Sequence, residues 1–139
     1  MDTTIWDFET IRAHIVAGLP LVEMFGLEVV QADAGSSRIR LNAFANVVRP
    51  GGSVAGPILF AMADVAVYAL ILATRGDPHA VTVDLTMNFL RASRSLPIVA
   101  EARTLRAGRR LFTADIRIAP EADPVRLVAS ASATYALTS

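Results

Sequence analysis

The sequence contains no cysteine and no lysine. The first absence excludes a disulfide scaffold, a zinc–thiolate site, a cysteine nucleophile and thiol redox chemistry. The second removes Schiff-base chemistry and a lysine base. Histidine is nearly absent too: His14 and His79 are the only two, and their spacing suits no metal site. Net charge is missing as a sum, because 13 arginines balance 13 acids, so the basic excess of a nucleic-acid-binding domain is not there. The acidic N-terminus lacks the basic segment and apolar core of a secretory signal, so a cytoplasmic location is expected. Two common motifs also fail. Pro57 stands where a phosphate loop needs its lysine, and the run Gly51-Gly52-Ser53-Val54-Ala55 ends in alanine rather than the glycine of a nucleophile elbow.

What is present is 139 residues that are 53% hydrophobic, enough for one folded domain over 1–139. We expect a helical extension over 1–19 and a core over 20–137. The charges that cancel in total are separated along the chain. Residues 1–35 hold six acids against Arg12, and residues 91–110 hold six arginines against Glu101. The run Ala55–Thr74 is apolar apart from Asp64 and could span a bilayer by length. An Asp near its midpoint opposes insertion by ~3 kcal/mol, and alternating strands follow it, so a buried core helix is the better reading.

Trp6, Phe8, Ile11, Ile15 and Val16 fall at helical spacing within 5–17, and Gly18-Leu19-Pro20 stops the helix. A turn at 21–25 follows. Strands over 27–32 and 37–43 are joined around Asp33-Ala34-Gly35-Ser36, and residues 44–53 read as a loop. After the apolar helix come four strands. The first alternates cleanly, with Val81, Val83, Leu85, Met87 and Phe89 on one face. The last runs from Val125 to Tyr135. A helix that is apolar all round needs enclosure, and an antiparallel sheet needs one face covered. A sheet curled around the helix satisfies both, which makes the fold class α+β. The sheet keeps free edges, which favours pairing with a second copy.

Asp64 is the residue most open to a chemical role, because a carboxylate on a buried helix is costly without partners. It is read either as a functional group or as an Asp held by a neighbouring strand or by an arginine such as Arg49. The glycine-rich loop from Arg49 to Pro57 delivers a helix N-terminus whose N–H groups can polarise a carbonyl. It is equally read as a tight turn entering a helix. Gly56 and Asp64 are eight residues apart, about 12 Å along the axis and about 80° around it. One carbonyl cannot meet both on a single chain, so cooperation would require Gly56 of one copy to face Asp64 of another.

These features resemble a known family. The run Arg49–Tyr68, the stretch Val81–Arg91, the turn Leu105-Arg106-Ala107-Gly108-Arg109-Arg110 and the alanine-rich last strand are similar to the PaaI-like hotdog-fold thioesterases, over about residues 20–137. The strongest element is Gly56-Pro57-Ile58-Leu59-Phe60-Ala61-Met62-Ala63-Asp64, similar to the family's His-Gly-Gly helix start and its carboxylate. The resemblance implies a hotdog fold, a curved antiparallel sheet around one long central helix, preceded by an N-terminal helix. It implies that Asp64 is the catalytic nucleophile or base, that the Gly56 N–H polarises a thioester carbonyl from the opposite subunit, and that Thr82 positions water. Thr82 is also read as an ordinary outward strand residue. Three positions depart from the pattern: the family's histidine is Ala55 here, its second glycine is Pro57, and the loop Asn or Gln is Arg49, which could bind a carbonyl or pair with Asp64.

The expected substrate is an acyl-CoA, with coenzyme A present only as part of it and no separate cofactor or metal. The acyl group is expected in a pocket at a subunit interface lined by residues such as Phe60, Val67, Tyr68 and Phe89, with Asn88 also expected to bind substrate. Arg91, Arg106, Arg109 and Arg110 are expected to hold the CoA phosphates, or else to be solvated strand-edge charges. The expected partner is a second copy in a homodimer, which could pair again as a dimer of dimers, with neither nucleic acid nor membrane. Two functions follow: hydrolysis of the thioester, or binding of an acyl-CoA or small ligand without turnover. A dehydratase would need a histidine beside the carboxylate, and this reading puts neither His14 nor His79 there.

Overall fold

The computed structural model describes residues 6–138. Asp7 caps the first helix, α1 (Phe8–Gly18), by accepting a hydrogen bond from the Thr10 N–H at 2.8 Å. Residue 5, where the sequence pattern begins the helix, lies outside the described residues. Ile11 and Ile15 are the buried stripe of α1. The segment expected as a turn is a short helix, α2 (Pro20–Met24), opened by Pro20 at a position where its missing N–H costs nothing. Strands β1 (Leu27–Asp33) and β2 (Ser36–Leu41) form the expected hairpin.

The loop over 44–55 is more ordered than its composition suggests. Val48 bridges Val54, the Arg49 N–H donates to the Ser53 carbonyl, and the Ala55 N–H donates to the Val47 carbonyl. Gly51 and Gly52 form the tip at φ 103° and 87°, values that side chains other than glycine rarely adopt. This small hairpin delivers the start of α3 (Gly56–Arg75). The long helix ends at Gly76, whose left-handed φ of 63° lets its N–H reach the Ile71 and Leu72 carbonyls.

Strands β3 (Val81–Phe89), β4 (Ile98–Ala107), β5 (Leu111–Pro120) and β6 (Ala129–Ala136) complete one antiparallel sheet, ordered β1-β2-β4-β5-β6-β3. Its concave face receives α3, of which twelve residues are buried. Met62, Leu70, Ile71 and Leu72 meet Ile39, Phe112, Ile116 and Ile118 in the core. The architecture is the hotdog arrangement, a sheet wrapped around one central helix. The long helix is therefore a core element, as its embedded position requires.

Two details differ from the strand pattern. β6 begins at Ala129 rather than Val125, because Pro124 follows Asp123 in a turn and the Arg126 N–H closes onto the Asp123 carbonyl. Val125 is 88% exposed. In β3 the register slips between Thr82 and Asp84, so Val83 is a bulge. The bulge turns Thr82 inward opposite Tyr135 and leaves Val81 and Val83 on the outside, against the simple alternation.

Candidate active site

Asp64 lies on α3 one helical turn before Tyr68. Its carboxylate is partnered by the adjacent strands. The Thr82 hydroxyl on β3 donates to Oδ1 at 2.8 Å, and the Tyr135 hydroxyl on β6 donates to the same oxygen at 2.6 Å. Tyr135 also lies 3.1 Å from the Asp64 main-chain carbonyl. Thr82 and Tyr135 are cross-strand neighbours, so the β3 bulge brings both hydroxyls to one point. Burial, then the charge of Asp64 and the hydrogen bond to it, push the Tyr135 phenol far above its ordinary pKa; the Thr82 contact opposes this slightly. The phenol therefore stays a donor. Oδ2 makes no hydrogen bond to the described residues, and Asp64 lines a cavity of about 340 Å³.

α1 and α2 roof that cavity, and His14 reaches into it. His14 Nε2 is 3.0 Å from the Tyr68 hydroxyl, which itself donates to the Pro78 carbonyl at 2.8 Å. Burial, and then the charge of Asp77, raise the Tyr68 phenol pKa. Tyr135 and His14 are the site residues that sequence reasoning did not assign. His14 was placed outside the site, yet it lines the same cavity as Asp64 because α1 folds back over α3. His79 is in an exposed turn, its N–H held by Asp77 Oδ1 at 3.1 Å.

A second concavity, about 360 Å³, is formed at the N-terminal end of α3 by Gly56, Arg49, Phe89 and Arg91. As the first residue of the helix, Gly56 has no intrahelical acceptor for its N–H, and no carbonyl among the described residues takes it. Pro57 has no N–H, while Ile58 and Leu59 both donate to the Ala55 carbonyl. The Gly56 N–H is thus the free donor of this helix end. The Phe89 ring lies close, 3.4 Å from where a Cβ on Gly56 would sit. Within one chain the Gly56 and Asp64 regions are separate cavities, as helix geometry required.

Several expected contacts do not form within the chain. Arg49 lines the Gly56 concavity and makes no ion pair with Asp64, whose Oδ1 is taken by two hydroxyls. Within one chain, the residues expected to line an acyl pocket at a subunit interface, Phe60, Val67, Tyr68 and Phe89, lie apart. Val67 faces the core and is fully buried, Tyr68 lines the Asp64 cavity, and Phe60 with Phe89 borders Gly56 at the other end of the helix segment. Asn88 is exposed and borders neither cavity, since the strand pleat points it away from its inward neighbours Met87 and Phe89.

The arginines are also divided. Arg91 follows the C-terminal end of β3, lines the Gly56 concavity, and donates to the Leu127 carbonyl at 3.0 Å. Arg106, Arg109 and Arg110 surround the β4–β5 turn at the opposite end of the sheet, where Arg75 of α3 also donates to the Ala107 and Gly108 carbonyls. The strands between them span about 26 Å at roughly 3.3 Å per residue. Sequence proximity misled here because β4 carries the chain back across the sheet. Among the described residues, no three His, Asp or Glu side chains gather as a metal site.

The fold is the hotdog arrangement, and the comparisons place it among thioesterases. The sequence profile of the thioesterase superfamily matches residues 51–126, more than half of the chain. A protein of Silicibacter sp. TM1040, provisionally named a thioesterase, shares 32% identity; the match covers 100% of this chain and 96% of that one, with a TM-score of 0.85. The PaaI phenylacetic acid degradation protein of Thermus thermophilus, in an N33D mutant form, shares 25% identity over 86% of this chain and 99% of that one, at a TM-score of 0.76. A curated protein of Saccharolobus solfataricus, provisionally named an esterase, is 28% identical over 96 residues; the match takes 69% of this chain and spans only 64% of that relative's length. The chain belongs to the thioesterase superfamily. Its fold is that of the PaaI-like hotdog thioesterases, as the sequence resemblance implied.

Proposed function

We propose that the protein hydrolyses small or medium acyl- or aryl-CoA thioesters at a site shared by two copies. The observation that carries this reading is the Asp64 carboxylate, which lines the cavity and is held through Oδ1 by Thr82 and Tyr135 while Oδ2 has no hydrogen-bond partner among the described residues. Oδ2 serves as base or as nucleophile. As base it takes a proton from water, the hydroxide adds to the carbonyl, and the tetrahedral oxyanion is held by a backbone N–H. Collapse breaks the C–S bond, and the leaving thiolate takes up the proton. As nucleophile, Oδ2 displaces the thiolate to form an acyl anhydride, which water then cleaves.

The oxyanion donor is the partner's Gly56, because the Gly56 of the same chain opens into a different cavity. β3 is a sheet edge with Val81 and Val83 exposed, so antiparallel pairing of two β3 edges continues the sheet and sets the end of one α3 beside the middle of the other. The same pairing sets Arg91 of one copy at the end that carries the partner's Arg106, Arg109 and Arg110, which regroups the arginines for the CoA phosphates. Asp64→Ala should lower kcat about 10²–10⁴-fold while the fold persists. Gly56→Pro removes the free N–H, at a helix position that accepts proline, and sets the proline ring against Phe89. Mixing the two inactive variants should restore about one quarter of wild-type activity, since half of a random mixture is heterodimer with one intact site each. No recovery in stable heterodimers would refute the shared site.

A second reading, acyl-CoA binding without turnover, is favoured by Ala55, which offers no side-chain hydrogen bond at the start of α3. Tight binding of acyl-CoA with no thiol released by the wild-type protein would decide for it.

A further inference from the structure

The cavity beside Asp64 is lined by a hydrogen-bonded pair, His14 of α1 and Tyr68 of α3, that the catalytic reading does not use. We infer that His14 and Tyr68 are specificity-determining residues: their bond is the back wall of the acyl site and restricts it to short acyl groups. This rests on the thioesterase reading and names the substrate class for that site.

The wall is built from two elements. Tyr68 follows Asp64 by four residues, so it stands on the same helix face about 6 Å further along α3. Its hydroxyl proton is committed to the Pro78 carbonyl, a group that can only accept. The hydrogen bond between Tyr68 and His14 must therefore be donated by His14 Nε2–H, which fixes the imidazole tautomer and draws α1 down onto α3. Trp6 supports the imidazole from behind, edge-on at a centroid separation of 5.0 Å. Ile11 and Ile15 anchor the same helix in the core. An acyl chain whose carbonyl lies at Asp64 thus meets a fixed barrier one helical turn away.

The rest of the lining is apolar, including Ile15, Leu19, Ala61 and Val65, and gives an alkyl or aryl group its favourable contacts. The volume of about 340 Å³ is near the lower end of the roughly 300–1,000 Å³ of ligand sites. A methylene that finds no place in such a pocket is discriminated roughly 10–200-fold. The chain-length profile is therefore expected to fall sharply once the acyl group reaches the imidazole.

The test is a ladder of straight-chain CoA esters from acetyl through butyryl, hexanoyl and octanoyl to dodecanoyl. Hydrolysis is measured by thiol release, and binding of the corresponding uncleavable thioethers by calorimetry. The wild-type protein should show a cut-off within the ladder. His14→Ala removes the wall, and Tyr68→Phe keeps the ring but releases both hydrogen bonds. In each, the ratio of kcat/KM for the longer over the shorter esters should rise, by about tenfold or more in His14→Ala, and the thioether affinities should follow. A wild-type profile without a cut-off, or variants that scale every length equally, would overturn the inference. Thioethers that bind with a cut-off while no thiol is released would sink hydrolysis and leave the wall standing. If no thioether binds, both fall.

Discussion

Thr82 and Tyr135 converge on one oxygen of Asp64, which under the proposed mechanism leaves Oδ2 as the reactive atom. A hydrogen bond to a charged group is worth about 1.5–3 kcal/mol, and here it also fixes the carboxylate rotamer. Tyr135→Phe should therefore reduce kcat by about tenfold or more with little change in KM, and Thr82→Ala should act similarly. Steady-state kinetics on any acyl-CoA that the wild type cleaves would check this. A raised KM with unchanged kcat would instead place these hydroxyls in ground-state binding. Asp64 was legible in the sequence because a single charge interrupts a run of apolar residues. Tyr135 was not, since an aromatic residue in an alternating strand reads as core and its partner is 71 residues away. His14 was hidden for a related reason: nothing local to α1 shows that it packs back over α3.

At the scale of elements, α3 was readable almost to the residue, because its apolar run, the proline at its start and the glycine at its end are all local signals. The strands were readable as strands, but their register was not. The bulge at Val83 depends on pairing with β6, and the start of β6 depends on a proline turn within a stretch of mixed polarity. The end of α3 is tied to the C-terminal strand by Asp77, which accepts hydrogen bonds from the Thr138 N–H and hydroxyl, each at 2.7 Å. Burial alone would raise the pKa of this carboxyl. The Thr138 bonds, the His79 N–H and the His79 charge outweigh it and bring the pKa below the ordinary aspartate value. The folded value lies below the unfolded one, so this stabilisation is complete above about 3.8 and is lost as pH falls through the folded value. Asp77→Asn should flatten the decline of Tm at acid pH below about 4 and lower Tm at neutral pH. Thermal melts across pH would measure both; an unchanged acid slope would dismiss the clasp.

For the whole molecule, the sequence suggested a second copy from unpaired edges, and the structure identifies β3 as an edge with apolar side chains outward. Val83 is 61% exposed there. Val83→Arg should put like charges together across a symmetric pair, giving a folded monomer with lost turnover. Sedimentation, circular dichroism and thiol release would test the three parts of that expectation. A dimer that persists with full activity would move the interface elsewhere. What the linear sequence could not convey is which distant residues share an end of the sheet. Arg91 and Arg106 are close in number, yet the full length of a strand separates them, whereas Thr82 and Tyr135 touch across most of the C-terminal half.

The bulge at Val83 bears on how residue roles pass between relatives. It makes distance along the chain and distance in space disagree by one residue between Thr82 and the rest of β3. In a sheet without that extra residue, every position of β3 after the one opposite Tyr135 would fall one place earlier, while that position kept its distance from Asp64. Counting back along β3 from Phe89 would then select the wrong side chain, an outward-facing one. Correspondence at this strand is sound only when it is counted from the pairing with β6, so an ungapped alignment can match every residue type nearby and still misassign the one that holds Asp64.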